Sequence, residues 1–357
     1  MSRNQRIKIF LGGYVNFLNA QNINCRSLSE HLDKNKYEVW TMLFWFQNAQ
    51  DFKRVADVHY LKSRRPVRFI GWLPYLIGLI RCDVAYLPKG EYVRFCHFVA
   101  RMSGCKVFTT LEGVMSGTNL EKILALRGNL DCYRLFEPNL YGITKYITEQ
   151  ANRDHGLQFK DKVLYLGVES DRFAAKESKR LGTLSRIVFI GNNTKLKGLE
   201  EVLRMAELYP DLEFHCVGGN ITKEGTLEEF VSQHDLKNVI YHGPLDHKQL
   251  AELLPFMDLM YFPSRSEGFP KVMLETACAG VPTLCYGDYG ADEWITTGKD
   301  GFVVNTFDEA KAVIQKLVDN PNMLHELSKN AIELGKRFDW KVLVKDWEEE
   351  IIRIANS

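Results

Sequence analysis

Short β-rich runs alternate with helical patterns along this 357-residue chain. That alternation limits the fold more than any other feature. Strands are expected at 7–11, 37–44, 83–87, 106–111 and 162–168, then at 186–191, 213–218, 238–243, 258–264, 282–287 and 301–304. Helical patterns separate most of them, including 18–33, 91–103 and 140–155. Such alternation builds parallel sheets with helices on both faces. Many of the strands end in Gly, Pro, Ser or Asn, and the C-terminal edge of an open α/β sheet is where ligands bind. The length exceeds one typical core. The fold class is therefore α/β, with two Rossmann-like doubly wound domains facing each other. The polar stretch 167–185 marks the division. Residues 1–170 are expected to form the first domain and 171–340 the second. Residues 341–357 are expected to form a C-terminal helix packing back on the first.

Composition narrows the partners. The formal charge is +1, with 45% apolar and 25% charged residues, which excludes a globally basic nucleic-acid binder. Eight cysteines are scattered without a CxxC pair. Small buried thiols in a reducing cytoplasm are expected, and no metal site. No run of about 18 apolar residues suggests a spanning helix, and the N-terminal run, broken by Gly12 and Gly13, does not read as a signal peptide.

"SRSEGFPKVMLETACAGVP", Ser264–Pro282, places Glu267 and Glu275 eight positions apart. Glu267 lies in a turn after the strand 258–264. Pro270 suits the first helical position, since its missing N–H would be unpaired there. The helix should stop around Gly280. A helix start behind a strand edge is an anion site, most simply for phosphate, and Gly268 lets a ligand approach the backbone. Glu275 falls roughly 7 Å along the helix, where a carboxylate can accept from a diol such as ribose. Glu267 could accept from a second sugar. The residues alone also allow a plainer reading, with Glu267 favouring the positive helix end and Glu275 on a solvated face.

These residues resemble the E-x7-E signature of family 4 glycosyltransferases, which have the GT-B fold. The likeness extends through the second half. "LGVESDRF" (166–173) resembles that family's inter-domain segment and "FIGNNTKLKG" (189–198) its lysine loop. "VIYHGPLDHKQLAELLPFMDLMYFPS" (239–264), "GADEWITTGKDGFVV" (290–304) and "RFDWKVLVKDWEEEI" (337–351) resemble later family segments.

The resemblance implies two domains about a central cleft. The first would bind the acceptor and the second a nucleotide-diphosphate sugar, UDP or GDP, with no cofactor and no metal. Glu275 would bind the ribose and Glu267 the donor sugar. Gly268 and the backbone of Phe269, Lys271 and Val272 would meet the phosphate and sugar. Lys197 would pair with the diphosphate. Asn192 stands where relatives carry an arginine, with Lys195 or Lys271 as substitutes. Gly12 and Gly13 should form a turn whose amides reach the donor. Glu112 stands where many relatives have a histidine; it contacts the sugar or its developing charge, or else caps a helix. The implied reaction is metal-independent transfer with retention to a glycan or lipid-linked acceptor, in bacterial surface polysaccharide synthesis. A catalytically inactive nucleotide-sugar-binding subunit and a sugar-nucleotide epimerase are the alternatives.

Residues 58–82 carry no acid. They combine Lys62, Arg64, Arg65, Arg68 and Arg81 with a helical stripe of Phe69, Trp72, Leu73, Leu76, Ile77 and Ile80. Segment 62–81 thus suits an anionic membrane surface, making the protein peripheral on the inner face. The alternative is a core helix kinked at Pro74.

Overall fold

The computed structural model describes residues 6–17, 19–44, 52–63, 71–90, 92–127, 129–174, 182–192, 197–219 and 236–357. The chain divides into two compact units, Met1–Leu166 with Trp340–Ser357, and Gly167–Asp339. The sequence places the divisions at 170/171 and 340/341; the structure places them at 166/167 and 339/340.

The first unit holds six strands: β1 Ile7–Tyr14, β2 Tyr37–Phe44, β3 Val58–Ser63, β4 Val84–Tyr86, β5 Lys106–Leu111 and β6 Leu140–Gly142. Their order is β3-β2-β1-β4-β5-β6, and every pairing is parallel. The second holds β7 Arg186–Ile190, β8 Glu213–Val217, β9 Val239–Gly243, β10 Leu259–Phe262, β11 Thr283–Tyr286 and β12 Gly301–Val304. Their order is β12-β11-β10-β7-β8-β9, again all parallel. Each sheet reverses its strand order once, between β1 and β4 and between β7 and β10. Such a switch point opens a crevice at the strand C-termini.

Parallel strands covered on both faces read as near-continuous apolar runs. In the second unit Ile187, Phe189, Phe214, Leu259, Tyr261 and Leu284 are buried with Val202 and Leu203 of the helix Leu199–Leu208. The last helix, Trp340–Ala355, belongs to the first unit. Its Trp347 is fully buried edge-on against Tyr86, ring centroids 5.5 Å apart, and donates from Nε1 to Tyr165 O at 3.1 Å. Truncating so large a buried ring costs about 3–5 kcal/mol.

Two sequence readings need correction. Residues 162–168 form no strand: Leu164 N–H bonds Gly142 O, while Val168 N–H bonds Phe338 O. The segment leaves one sheet's neighbourhood for the other unit, so no ladder follows it. Lys62 of the basic tract lies in β3, the edge strand beside β2. Pro74 makes no kink, because it sits in the first turn of the helix Leu73–Arg81. Arg64, Arg65, Arg68 and Phe69 lie outside the described residues.

Candidate functional site

Three loops meet at the switch point of the second unit. β7 leads to Gly191 and Lys197, β8 to Gly218, and β10 to Glu267 and the helix Lys271–Cys278. Glycines make the meeting close. A Cβ on Gly218 would stand 1.9 Å from Gly191 O. Gly198, at φ +78° before the helix Leu199–Leu208, would place a Cβ 2.4 Å from Pro263 O. Any side chain at either position would drive the loops apart.

This packing brings Lys197 and Glu267, 70 positions apart, into direct contact: Nζ donates to Oε1. Lys197 Nζ also lies 5.6 Å from the Phe262 ring centroid, within cation–π range. The carboxylate side chain is 10% exposed and the lysine side chain 26%. Asn192 is exposed, and its Oδ1 accepts from Gly219 N at 3.3 Å. It holds the β7 loop to the β8 loop and adds no charge. Lys195 lies outside the described residues.

The helix Lys271–Cys278 starts one residue later than its proline suggests. Pro270 is the N-cap at φ −76° and ψ 90°, and its carbonyl accepts from Met273 N at 3.0 Å. The helix ends before Gly280, which adopts φ +74°. Gly280 O accepts from Ser328 Oγ at 2.6 Å. A Cβ on Gly335 would meet Cys278 Sγ at 2.6 Å, so the helix Asn322–Arg337 presses directly on this one. Gly268 precedes the helix in the turn. Phe269 packs edge-on against Trp294 at 5.1 Å, so its side chain is fixed while its backbone lies in the turn. Val272 is half-buried at the helix start.

Glu275 is the fifth residue of the helix, with its side chain 14% exposed and its Oε1 3.7 Å from His247 Nε2. Burial raises its pKa, opposed by His247, Lys271 and Arg172. Burial also lowers the Lys271 ammonium to about 8, opposed by Glu275 and Glu169. A titratable acid and amine share this helix end.

The first unit's switch point is built differently. Gly12 and Gly13 do not form a turn after the strand. They lie within β1, whose register against β2 shifts between Leu11 and Tyr14. Thr41 Oγ1 donates to Leu11 O and Gly13 O, at 3.1 and 3.2 Å, and holds this bulge. A Cβ on Gly13 would stand 2.7 Å from Cys25 Sγ, so closeness, not left-handed backbone, calls for glycine here. Glu112, just past β5, accepts from Lys89 Nζ, from Tyr86 Oη at 3.1 Å and from Thr110 Oγ1 at 2.6 Å. Lys89 Nζ also donates to Thr110 O. Glu112 is no helix cap; both its oxygens serve this buried network.

Lys89, His247 and Ser264 escaped the sequence reading. Ser264 Oγ, two residues past β10, is fully buried and has no hydrogen-bond partner among the described residues. Its signal was its place at a strand C-terminus, which "LPKG" shares for Lys89.

Residues 171–334, almost the whole second unit, match the family model described as glycosyl transferases group 1. An uncharacterised glycosyltransferase of Methanocaldococcus jannaschii is 26% identical over 57% of this chain and 56% of its own. An alpha-galactosylglucosyldiacylglycerol synthase of Streptococcus pneumoniae is 26% identical over 45% of this chain and 44% of its own. The chain thus spans about half the length of the curated relatives it matches. HepE of Anabaena, solved in complex with UDP and glucose, superposes with a TM-score of 0.74 at 15% identity, over 98% of this chain and 100% of its own. The fold is that of GT-B glycosyltransferases, and the second unit is similar to the group 1 glycosyl transferases over residues 171–334.

Proposed function

We propose that the chain is a family 4 glycosyltransferase, taking a sugar from a nucleotide-diphosphate donor, UDP- or GDP-linked, and retaining its anomeric configuration. The observation that carries this reading is the Lys197–Glu267 pair beside the helix carrying Glu275, at a switch point in a domain matching the group 1 family.

The residues suit the chemistry. The donor's diphosphate competes with Glu267 for Lys197. Drawing the ammonium to the phosphates frees the Glu267 carboxylate for a sugar hydroxyl. As the glycosidic bond breaks, negative charge grows on the departing diphosphate, and Lys197 with the helix start stabilises it. As the acceptor's hydroxyl oxygen bonds to the anomeric carbon on the face the diphosphate is leaving, the departing phosphate oxygen takes that hydroxyl's proton. Glu275 accepts from the ribose diol. Phe269, Lys271 and Val272 supply backbone amides. Gly268 leaves room at the turn.

The acceptor is a glycan or lipid-linked sugar, and the setting is surface polysaccharide synthesis in the cytoplasm. No metal or cofactor takes part. The lipid-glycosylating pneumococcal relative supports the acceptor class, and the HepE complex supports a UDP donor. The test is a panel of UDP- and GDP-sugars. At least one should raise the melting temperature and undergo slow hydrolysis with chelator present. The reading fails if none stabilises the folded protein and none is turned over.

A further inference from the structure

Among the described residues no helix is long and apolar enough to cross a membrane. The helices Leu73–Arg81 and Val93–Ser103 nonetheless expose large apolar side chains. They lie side by side in the same direction: Trp72 packs edge-on against Phe95 at 5.7 Å near their starts, and Ser103 Oγ donates to Leu79 O at 2.9 Å near their ends. Each has a buried and an open stripe. On the first, Tyr75, Gly78 and Leu79 are buried, with Gly78 so close to Phe10 that a Cβ would stand 2.6 Å away. Trp72, Leu73 and Ile80 face outward at 36, 38 and 61% exposure. On the second, Cys96, Val99 and Ala100 are buried, while Phe98 and Met102 reach 66 and 74%.

The two helices carry only basic charges, with Asp83 and Glu91 just beyond them in the chain. Segments 71–82 and 92–106 contain no aspartate or glutamate. Arg81 lies over the Trp40 ring at 5.6 Å, and Arg101 and Lys106 are exposed. Arg94 is exposed too, facing Asp131 at 3.2 Å. Apolar side chains ringed by arginines, with a tryptophan at the border, match an interface whose headgroups are anionic and whose interior is apolar. A second copy of the chain would set arginine against arginine.

We propose that the two helices together form one docking face for an anionic bilayer. It extends beyond 62–81 to the second helix, whose Phe98 and Met102 are its most exposed apolar members. The proposal does not depend on the donor chemistry.

Cosedimentation of the full chain with vesicles tests it. Vesicles of equal parts phosphatidylcholine and phosphatidylglycerol should bind the protein at low salt, and pure phosphatidylcholine should bind it far less. High salt should release it. Phe98→Glu with Met102→Glu should lower vesicle partitioning at least tenfold. Arg101→Gln should lower it about fivefold, the factor for one basic side chain near such a surface. All these positions are exposed, so the variants should melt like the wild type. Failure of the wild type to bind the anionic vesicles at low salt overturns the proposal. So does equal binding by the folded glutamate variant. A concentration-dependent dimer that this variant dissociates, without vesicle binding, assigns the face to a second copy instead.

Discussion

Each unit sets a lysine against a glutamate at its switch point, yet the pairs differ in kind. Lys89 and Glu112 are 8 and 15% exposed and share Tyr86 and Thr110 with both oxygens engaged. Lys197 and Glu267 are 26 and 10% exposed, and Lys197 also faces the Phe262 ring. Buried charge is tolerable only when paired and hydrogen-bonded. The first pair meets that condition within the protein and holds the strand ends together. Among the described residues the second has fewer internal hydrogen bonds, so an anion arriving at Lys197 has less to displace. One pair is a structural knot, and the other is open to exchange.

The largest expected effect breaks the knot. Lys89→Met leaves Glu112 buried without its cation, which costs about 3–5 kcal/mol. The urea midpoint should fall markedly. Adding Glu112→Gln should recover part of that loss, because an amide is cheaper to bury than an unpaired carboxylate. A single variant as stable as the wild type would make the two pairs equivalent and end the contrast.

At the open pair the signs reverse, with little stability lost and much turnover. Lys197→Ala should lower kcat of the preferred sugar nucleotide by about 100–1,000-fold, typical for one charge-stabilising donor. Glu267→Gln should lower kcat while nearly sparing affinity for the free nucleoside diphosphate. Equal loss of diphosphate affinity in both variants would deny Glu267 the sugar.

Glu275→Ala acts on binding itself. Losing a charged hydrogen bond to the ribose should weaken nucleoside diphosphate by about 1–3 kcal/mol. Calorimetry on the folded variant reads this directly, and unchanged affinity sinks the ribose assignment.

The contrast also shows what sequence can carry. The Glu267–Glu275 spacing lies within one turn and helix, so local rules place both acids. Lys197 was visible through its flanking glycines. The knot was not, because Lys89 follows β4 and Glu112 follows β5, and only sheet pairing joins them. The same boundary runs through the fold. Residues 37–44, 106–111 and 301–304 are strands as expected, each a compact run dense in β-formers. "VHYLKS" at β3 reads as part of a basic tract, since an edge strand can carry His and Lys. "LYG" at β6 is too short to separate from the helix after it. Residues 162–168 have strand composition, but their bonding partners lie in different places along the chain.

The smallest expected effect is a pH dependence at Lys271. Burial lowers its ammonium to about 8, against the opposing pull of Glu275 and Glu169. An unfolded lysine titrates near ~10.4, so the folded state holds fewer protons between about 8 and 10. For this group alone, stability rises with pH across that window. Ligand affinity should run the other way. The charged form favours a diphosphate at the helix start, so affinity should fall as pH rises from about 7 to about 9. A sugar nucleotide is the right probe, because its diphosphate carries no group titrating there. The decline should approach tenfold per unit well above the pKa and flatten below it. Lys271→Met should bind more weakly at neutral pH, with the pH slope removed. If the variant keeps the wild-type slope, Lys271 is a packing residue and its ammonium does not meet the diphosphate.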